Sequence, residues 1–116
     1  MSIVQGRAAL ADALSTLGEH GIRGHEYRPF TPRSGDGWPL LGKLEHGPGG
    51  AFEATWRVLV VLPADERLAS DRTDELVPLL AEALIPVGFV DSFEPVALQT
   101  SGGDTFALQI TIRSEA

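Results

Sequence analysis

The sequence predicts an α+β fold, in which one antiparallel or mixed sheet of about four strands carries two helices packed on one of its faces. Three observations lead to this prediction: an N-terminal segment with helical periodicity, a long strand that runs directly into a second helical segment, and a C-terminal hairpin. The chain of 116 residues, 43% of them apolar, suits a single domain over residues 1–116.

The first helix is predicted from about residue 3 to about residue 18. Ser2 and Gln5 have the spacing of a capping box, in which each side chain satisfies the other's backbone N–H. Four apolar residues then recur at helical spacing: Ile3, Leu10, Leu14 and Leu17. Either Gly18 or Gly21 is suited to close the helix.

The segment after this helix is irregular. Residues 22–28 alternate only weakly and predict at most a short strand. Residues 29–39, PFTPRSGDGWP, contain three prolines and two glycines and predict a loop. A short strand over 40–45 and a turn at 46–50 follow, so that region 29–50 is expected to be either functional or mobile.

The segment 52–62, FEATWRVLVVL, is the strongest predicted strand, and its two ends differ. At first Phe52, Ala54 and Trp56 alternate with polar residues on the opposite face, but from Val58 onward both faces are apolar. The helices can cover only one face. The apolar end of the other face must therefore be covered by another part of the chain or by another copy of it.

The second helix follows at once, and its predicted buried stripe contains one polar residue, Arg72. The stripe comprises Leu68, Arg72, Leu76, Leu79, Leu80, Ala83 and Leu84. Pro78 lies inside the predicted helix and predicts a kink there, or two shorter helices with the second starting near Thr73. Strands over 90–100 and 105–113 around the turn SGGD complete the fold, and Pro95 predicts an edge position or a bulge.

No constellation of residues predicts catalysis, so we expect no enzyme and no cofactor or metal site. The chain has no cysteine, and His20, His25 and His46 do not have the spacing of a known zinc motif. The acidic residues near 65–75 suit the start of a helix, where they complement its dipole. Trp38 has two open interpretations, burial in the core or contact with a neighbouring subunit.

The net charge of −7 argues against sequence-reading contact with nucleic acid, because an acidic surface repels phosphate. No segment approaches the length of about 20 apolar residues that crosses a bilayer, and the N-terminus does not resemble a secretion signal. We expect a protein made in the cytosol, or in something assembled there, without membrane contact.

In the order and residue character of these segments, the chain resembles the tail terminator proteins of long-tailed bacteriophages, in particular those of actinobacterial hosts. The resemblance covers nearly the whole chain. It rests on the N-terminal helix, the loop RPFTPRSGDGWP, the strand and helix WRVLVVLPADERLASDRTDELVPLLAEAL, and the closing hairpin that ends TFALQITIRSEA. The run VLVVLP, followed by an acidic helix start that contains arginine, is the most telling part.

This resemblance implies a structural virion protein in the neck of the tail. Such proteins form a hexameric ring on the head-proximal end of the tail tube, stop its polymerisation and present a surface to the head–tail connector or stopper proteins. DNA passes through the lumen of the ring without specific binding. In this reading the apolar second face of the strong strand is shielded by sister copies, and candidate subunit-contact residues are Arg28, Arg33, Trp38, Arg57 and Val61.

Two alternatives are also compatible with the sequence. The protein could occupy another position in the neck, as a connector, stopper or tail completion protein. It could also be a small dimeric domain of the ferredoxin-like kind that binds a ligand or catalyses a reaction, which would require a concave pocket with converging polar groups.

Overall fold

A computed structural model describes residues 2–115 and, over that range, contains two α-helices and one five-stranded sheet. The helices are α1 (Ile3–Ser15) and α2 (Glu66–Leu84). The strands are β1 (Arg23–Gly24), β2 (Asp36–His46), β3 (Phe52–Val61), β4 (Phe89–Thr100) and β5 (Gly103–Glu115). The prediction of a single sheet with two helices is confirmed, but the sheet has five strands rather than about four. Within the described range, no helix is long and apolar enough to cross a membrane.

The strands lie in the order β1-β2-β3-β5-β4. Only β1 and β2 run parallel, and the other neighbours are antiparallel. Both helices pack on one face, where apolar residues from α1, α2, β3 and β5 form the main core. Its largest fully buried side chains include Trp56, Leu14, Leu80, Ile110 and Ile112.

Helix α1 begins with the predicted capping box. Ser2 Oγ accepts a hydrogen bond from the Gln5 backbone N–H at 3.1 Å, and Gln5 Oε1 accepts one from the Ser2 N–H at 2.9 Å. The helix ends at Ser15, earlier than predicted, because the Thr16 N–H is shared between the carbonyls of Asp12 and Ala13 and the chain tightens into a 3₁₀ turn. Gly21, at a φ of 81°, ends this turn.

Helix α2 is one continuous element, so the alternative of two shorter helices is wrong. The Asp65 side chain caps its start by accepting from the Leu68 N–H at 3.0 Å. Pro78 lies inside the helix and has no N–H to donate to the Asp74 carbonyl, one turn earlier. Both residues are exposed, so this carbonyl can bind water instead. The predicted stripe is wrong at Leu68, which is 56% exposed, whereas Ala69 is buried instead.

Strand β2 begins at Asp36, inside the segment predicted as a loop, and extends past the predicted strand to His46. Pro39 is tolerated there because β1 pairs only with Asp36 and Gly37, which leaves the rest of β2 as an edge. A bulge separates Leu41 from Lys43. The weak strand predicted over 22–28 is reduced to the two residues of β1.

The predicted C-terminal hairpin is confirmed. Strands β4 and β5 pair from Phe89↔Arg113 to Thr100↔Gly103. Pro95 lies in the edge strand β4, as one of its two interpretations required, and the bulge lies elsewhere, between Val90 and Ser92.

Replacing Gly24 with alanine is expected to destabilise the protein strongly, because α1 passes very close to β1 at this point. A Cβ on Gly24 would lie 2.1 Å from the Ala11 carbonyl oxygen, a backbone atom that cannot move without the helix. We expect urea unfolding to show a loss of roughly 3 kcal/mol. Gly18→Ala is the control, since a Cβ at Gly18 meets nothing within 4 Å. Equal stability of the two variants would contradict this packing.

Candidate assembly surface

A second, smaller core lies on the face of the sheet opposite the helices. It comprises Trp38, Leu59, Val61, Leu98 and Ala107, with Val96 packed against it. The residues come from four neighbouring strands, and cross-strand pairing places them side by side. This core is the apolar end of the second face of β3 that the sequence predicted.

The chain covers this second core itself, through the segment between β1 and β2. We call residues 25–35 the covering loop. The Arg28 guanidinium lies 5.6 Å from the centre of the Trp38 ring and donates a hydrogen bond to the Gln99 carbonyl at 2.7 Å. Trp38 is fully buried and Val61 is 3% exposed.

The prediction that sister copies shield this patch is therefore wrong. Trp38 and Val61 were candidate subunit-contact residues, but they offer a neighbouring molecule almost no surface. Of the two interpretations of Trp38, the structure supports burial in the core. The physical reason is that the loop rich in proline and glycine folds back over the sheet instead of leaving it open.

The carboxylate of Asp36 fastens the covering loop at its base. Asp36 Oδ1 accepts from Arg23 Nε at 2.8 Å and lies 3.1 Å from His25 Nε2, and Oδ2 accepts from the Arg33 backbone N–H at 2.9 Å. Burial of Asp36 acts to raise its pKa. The hydrogen bonds from Arg33, His25 and Arg23 outweigh burial and hold the pKa below its usual value of 3.8.

Arg7 holds the loop from the side of helix α1. Its guanidinium lies between two aromatic rings, 4.6 Å from the centre of Tyr27 and 5.3 Å from that of Trp56. It also donates to the carbonyls of Glu26 and Pro39, each at 3.1 Å. Sequence reasoning missed this residue; the only available signal was a lone arginine in an alanine-rich helix.

Arg72, the polar residue in the predicted stripe of α2, joins that helix to the turn before β1. It donates to the His20 carbonyl and to Glu75 Oε1, the latter at 2.8 Å. Its position in the stripe reflects this structural contact.

The three remaining candidate residues are exposed, and their role in subunit contacts stays a prediction. Arg28 and Arg33 lie on the covering loop, and Arg57 lies on the polar half of the second face, opposite Leu40 on β2 and Thr111 on β5. The structure thus brings Arg28, Arg33, Trp38 and Val61 to one end of the sheet and leaves Arg57 toward its middle.

The polar half of the second face is rich in paired charges. Arg113 forms two hydrogen bonds with Asp91, at 2.8 and 3.0 Å, and lies 3.9 Å from Glu53. The hydrogen bonds that Arg113 donates to the Asp91 carboxylate are the main cause of the raised pKa of Arg113. This half of the face matches the polar start of β3 seen in the sequence.

Apolar side chains are exposed at several other places, including the β2–β3 hairpin and the covering loop. Leu40, Leu41, Leu44 and Phe52 lie on the β2–β3 hairpin, where each is between 37% and 45% exposed. Over the described residues, no strand lies beside the outer edge of β2 beyond Gly37. Phe30, in the covering loop, is completely exposed.

The three histidines lie apart from one another. His25 contacts Asp36, His46 stacks on Phe52 with ring centres 4.5 Å apart, and His20 lies in the turn after α1. Residues 2–115 hold no group of three or more His, Cys, Asp or Glu side chains placed to bind a metal ion.

Comparison with known proteins gives no relative: no protein-family model and no curated protein matches the chain.

Replacing Asp36 with asparagine is expected to reduce stability by about 2 kcal/mol at neutral pH, because the loop loses its charge-assisted hydrogen bonds. The folded pKa of Asp36 lies below the unfolded value of 3.8, so its stabilisation is present above that pH and is lost as the pH falls below it. The difference between wild type and Asp36→Asn, measured by urea unfolding, should therefore shrink from pH 7 to pH 2.5.

Asp12→Asn is the matched control, since Asp12 is exposed on α1. It should change stability by less than about 0.5 kcal/mol. A pH-independent difference for Asp36→Asn would show that the carboxylate is not what fastens the loop.

Proposed function

We propose that this protein is a structural component of the neck of a long-tailed bacteriophage. Copies of it form a ring on the head-proximal end of the tail tube, stop tube polymerisation and join the tail to the head–tail connector or stopper proteins. DNA passes through the lumen. The assembled protein belongs to the virion, and assembly takes place in the host cytoplasm.

The observation that carries the proposal is the apolar edge formed by β2. A long edge strand with exposed leucines is an association hazard in a protein that works alone, and such edges are normally blocked by charge, proline or a covering element. Both edges carry such residues, Pro95, Asp91 and Glu94 on β4 and Pro39, Lys43 and Glu45 on β2, but β2 also leaves three leucines exposed. Burial of the Leu40, Leu41 and Leu44 side chains in an assembly would remove the hazard at β2.

The charge of the chain is compatible with this role. Each copy contributes a net charge of −7, and a ring of such subunits repels the phosphate backbone, so that DNA can slide without binding. The resemblance in the order of helices, loop, strong strand and hairpin supports the more specific assignment to the tail terminator position.

The mass of the purified protein, alone and with the tail-tube protein of the same virus, tests the proposal. We expect a closed ring of six copies in native mass spectrometry, with or without the tube as template. Virus particles that lack the protein should carry abnormally long tails in electron micrographs. A protein that stays monomeric in both preparations would falsify the proposal, and normal tails detached from heads would move it to a connector position.

Reversing one exposed charge should disrupt the ring. Arg57 is exposed on the polar half of the second face, and arginine is suited to bidentate contact with a carboxylate of a neighbour. We expect Arg57→Glu to abolish assembly with unchanged circular dichroism and thermal stability, and Arg57→Lys to retain part of it. Unchanged assembly of Arg57→Glu would remove this residue from the interface.

A further inference from the structure

Phe30 is an apolar side chain held out into solvent by a well-anchored loop. It is 100% exposed and so has no packing contact within its own chain. The sequence around it, RPFTPR, places a proline and an arginine on each side: Arg28 and Pro29 before, Pro32 and Arg33 after. We call residues 28–33 the Phe30 knob.

The knob is fixed at both ends. Arg28 binds the Gln99 carbonyl on β4, and Arg23 donates to the Ser34 carbonyl at 2.8 Å as well as to Asp36. The prolines restrict the backbone between these anchors. A residue whose backbone is already held in position loses less conformational freedom when a partner binds its side chain, which favours its use as an anchor.

A groove lined by apolar and acidic side chains lies on the other face of the sheet. It has a volume of about 300 Å³ between the first half of α2 and the β4–β5 hairpin. Its apolar surface comes from Leu62, Ala69, Pro95 and Phe106. Small side chains on α2, at Ala69, Ser70 and Thr73, leave the space open.

The charges of the knob and the groove are complementary. Glu66 and Asp74 line the groove and are exposed, and over residues 2–115 neither is paired with a basic side chain. Arg33 on the knob is likewise exposed, and within the same range its guanidinium has no carboxylate partner. An aromatic ring flanked by arginines fits an apolar groove with an acidic rim.

We propose that the Phe30 knob of one copy inserts into the α2 groove of the next copy. The covering loop lies over the second core, whereas the groove opens on the side of the sheet that carries the helices. Knob and groove are therefore different patches on opposite faces. A contact of this kind is heterologous and passes from copy to copy around a ring. The inference rests on the proposed ring and assigns one contact between its subunits, separate from the Arg57 and β2 surfaces.

Single substitutions test each side of the contact without disturbing the core. Phe30→Ser removes the exposed ring, and Ser70→Trp fills the groove from an exposed position. Each should weaken self-association at least about tenfold in sedimentation experiments, with unchanged thermal unfolding. The matched control is Phe89→Ser, which removes another exposed phenylalanine, at the start of β4, and should assemble normally.

Mixing the two variants gives the sharpest readout. Phe30→Ser retains an intact groove, and Ser70→Trp retains an intact knob, so only one productive contact can form between them. Native mass spectrometry should show a 1:1 heterodimer from two proteins that are each monomeric. An exchange of charges adds a second check: Arg33→Glu and Asp74→Arg should each weaken assembly, and their combination should restore it.

The outcomes separate this inference from the proposed function. If the wild type forms a ring and Phe30→Ser forms it equally well, or if the mixture stays monomeric, the knob contact is overturned and the ring stands on another surface. If Phe30→Ser still forms rings but no longer binds the tail-tube protein, the occupant of the contact is that protein and not a second copy. A wild type that is monomeric in every preparation overturns the proposed function together with the contact.

Discussion

The buried carboxylate of Asp36 is the constraint on which the rest of this structure depends. It stands at the point where the covering loop becomes β2, and it binds side chains from β1 and the loop together with a backbone N–H of the loop. A carboxylate in this position is stable only with such partners, since burial without them would be costly. Because the loop is tied down here, it reaches back over Trp38 and closes the second core.

The arginines of this acidic chain are used mainly as clamps. Arg7, Arg23 and Arg28 all donate to backbone carbonyls of the loop or of the strands beneath it. Several donors in a fixed planar fork allow one side chain to hold two segments at once. The same contacts that seal the sheet therefore hold the backbone around Phe30 in place, which links the stability of the fold to the surface proposed for assembly.

Because the covering loop seals the second core, the proposal of assembly depends on other exposed surfaces. The exposed apolar surface to which we assign a partner lies on the β2–β3 hairpin and on the Phe30 knob, not on the second face of β3. The proposed association function rests on side chains that the chain leaves exposed, and these differ from the residues whose sequence pattern first suggested it. The tail terminator assignment depends on the resemblance of the sequence, and the knob and groove supply a contact through which copies could join.

The sequence by itself determined the two helices and the two-sided character of β3, because helix periodicity, strand alternation and the Ser2 cap are local signals, but it did not place β1 or the start of β2. It also placed the hairpin and the main core. Only the tertiary structure decided what covers the second face. The decisive contact joins Arg28 to Gln99, 71 residues apart, and hydrophobic burial has no directional preference between a chain's own loop and a neighbour's surface. The sequence pattern indicates that a surface must be buried. Which segment buries it depends on the geometry of the folded chain.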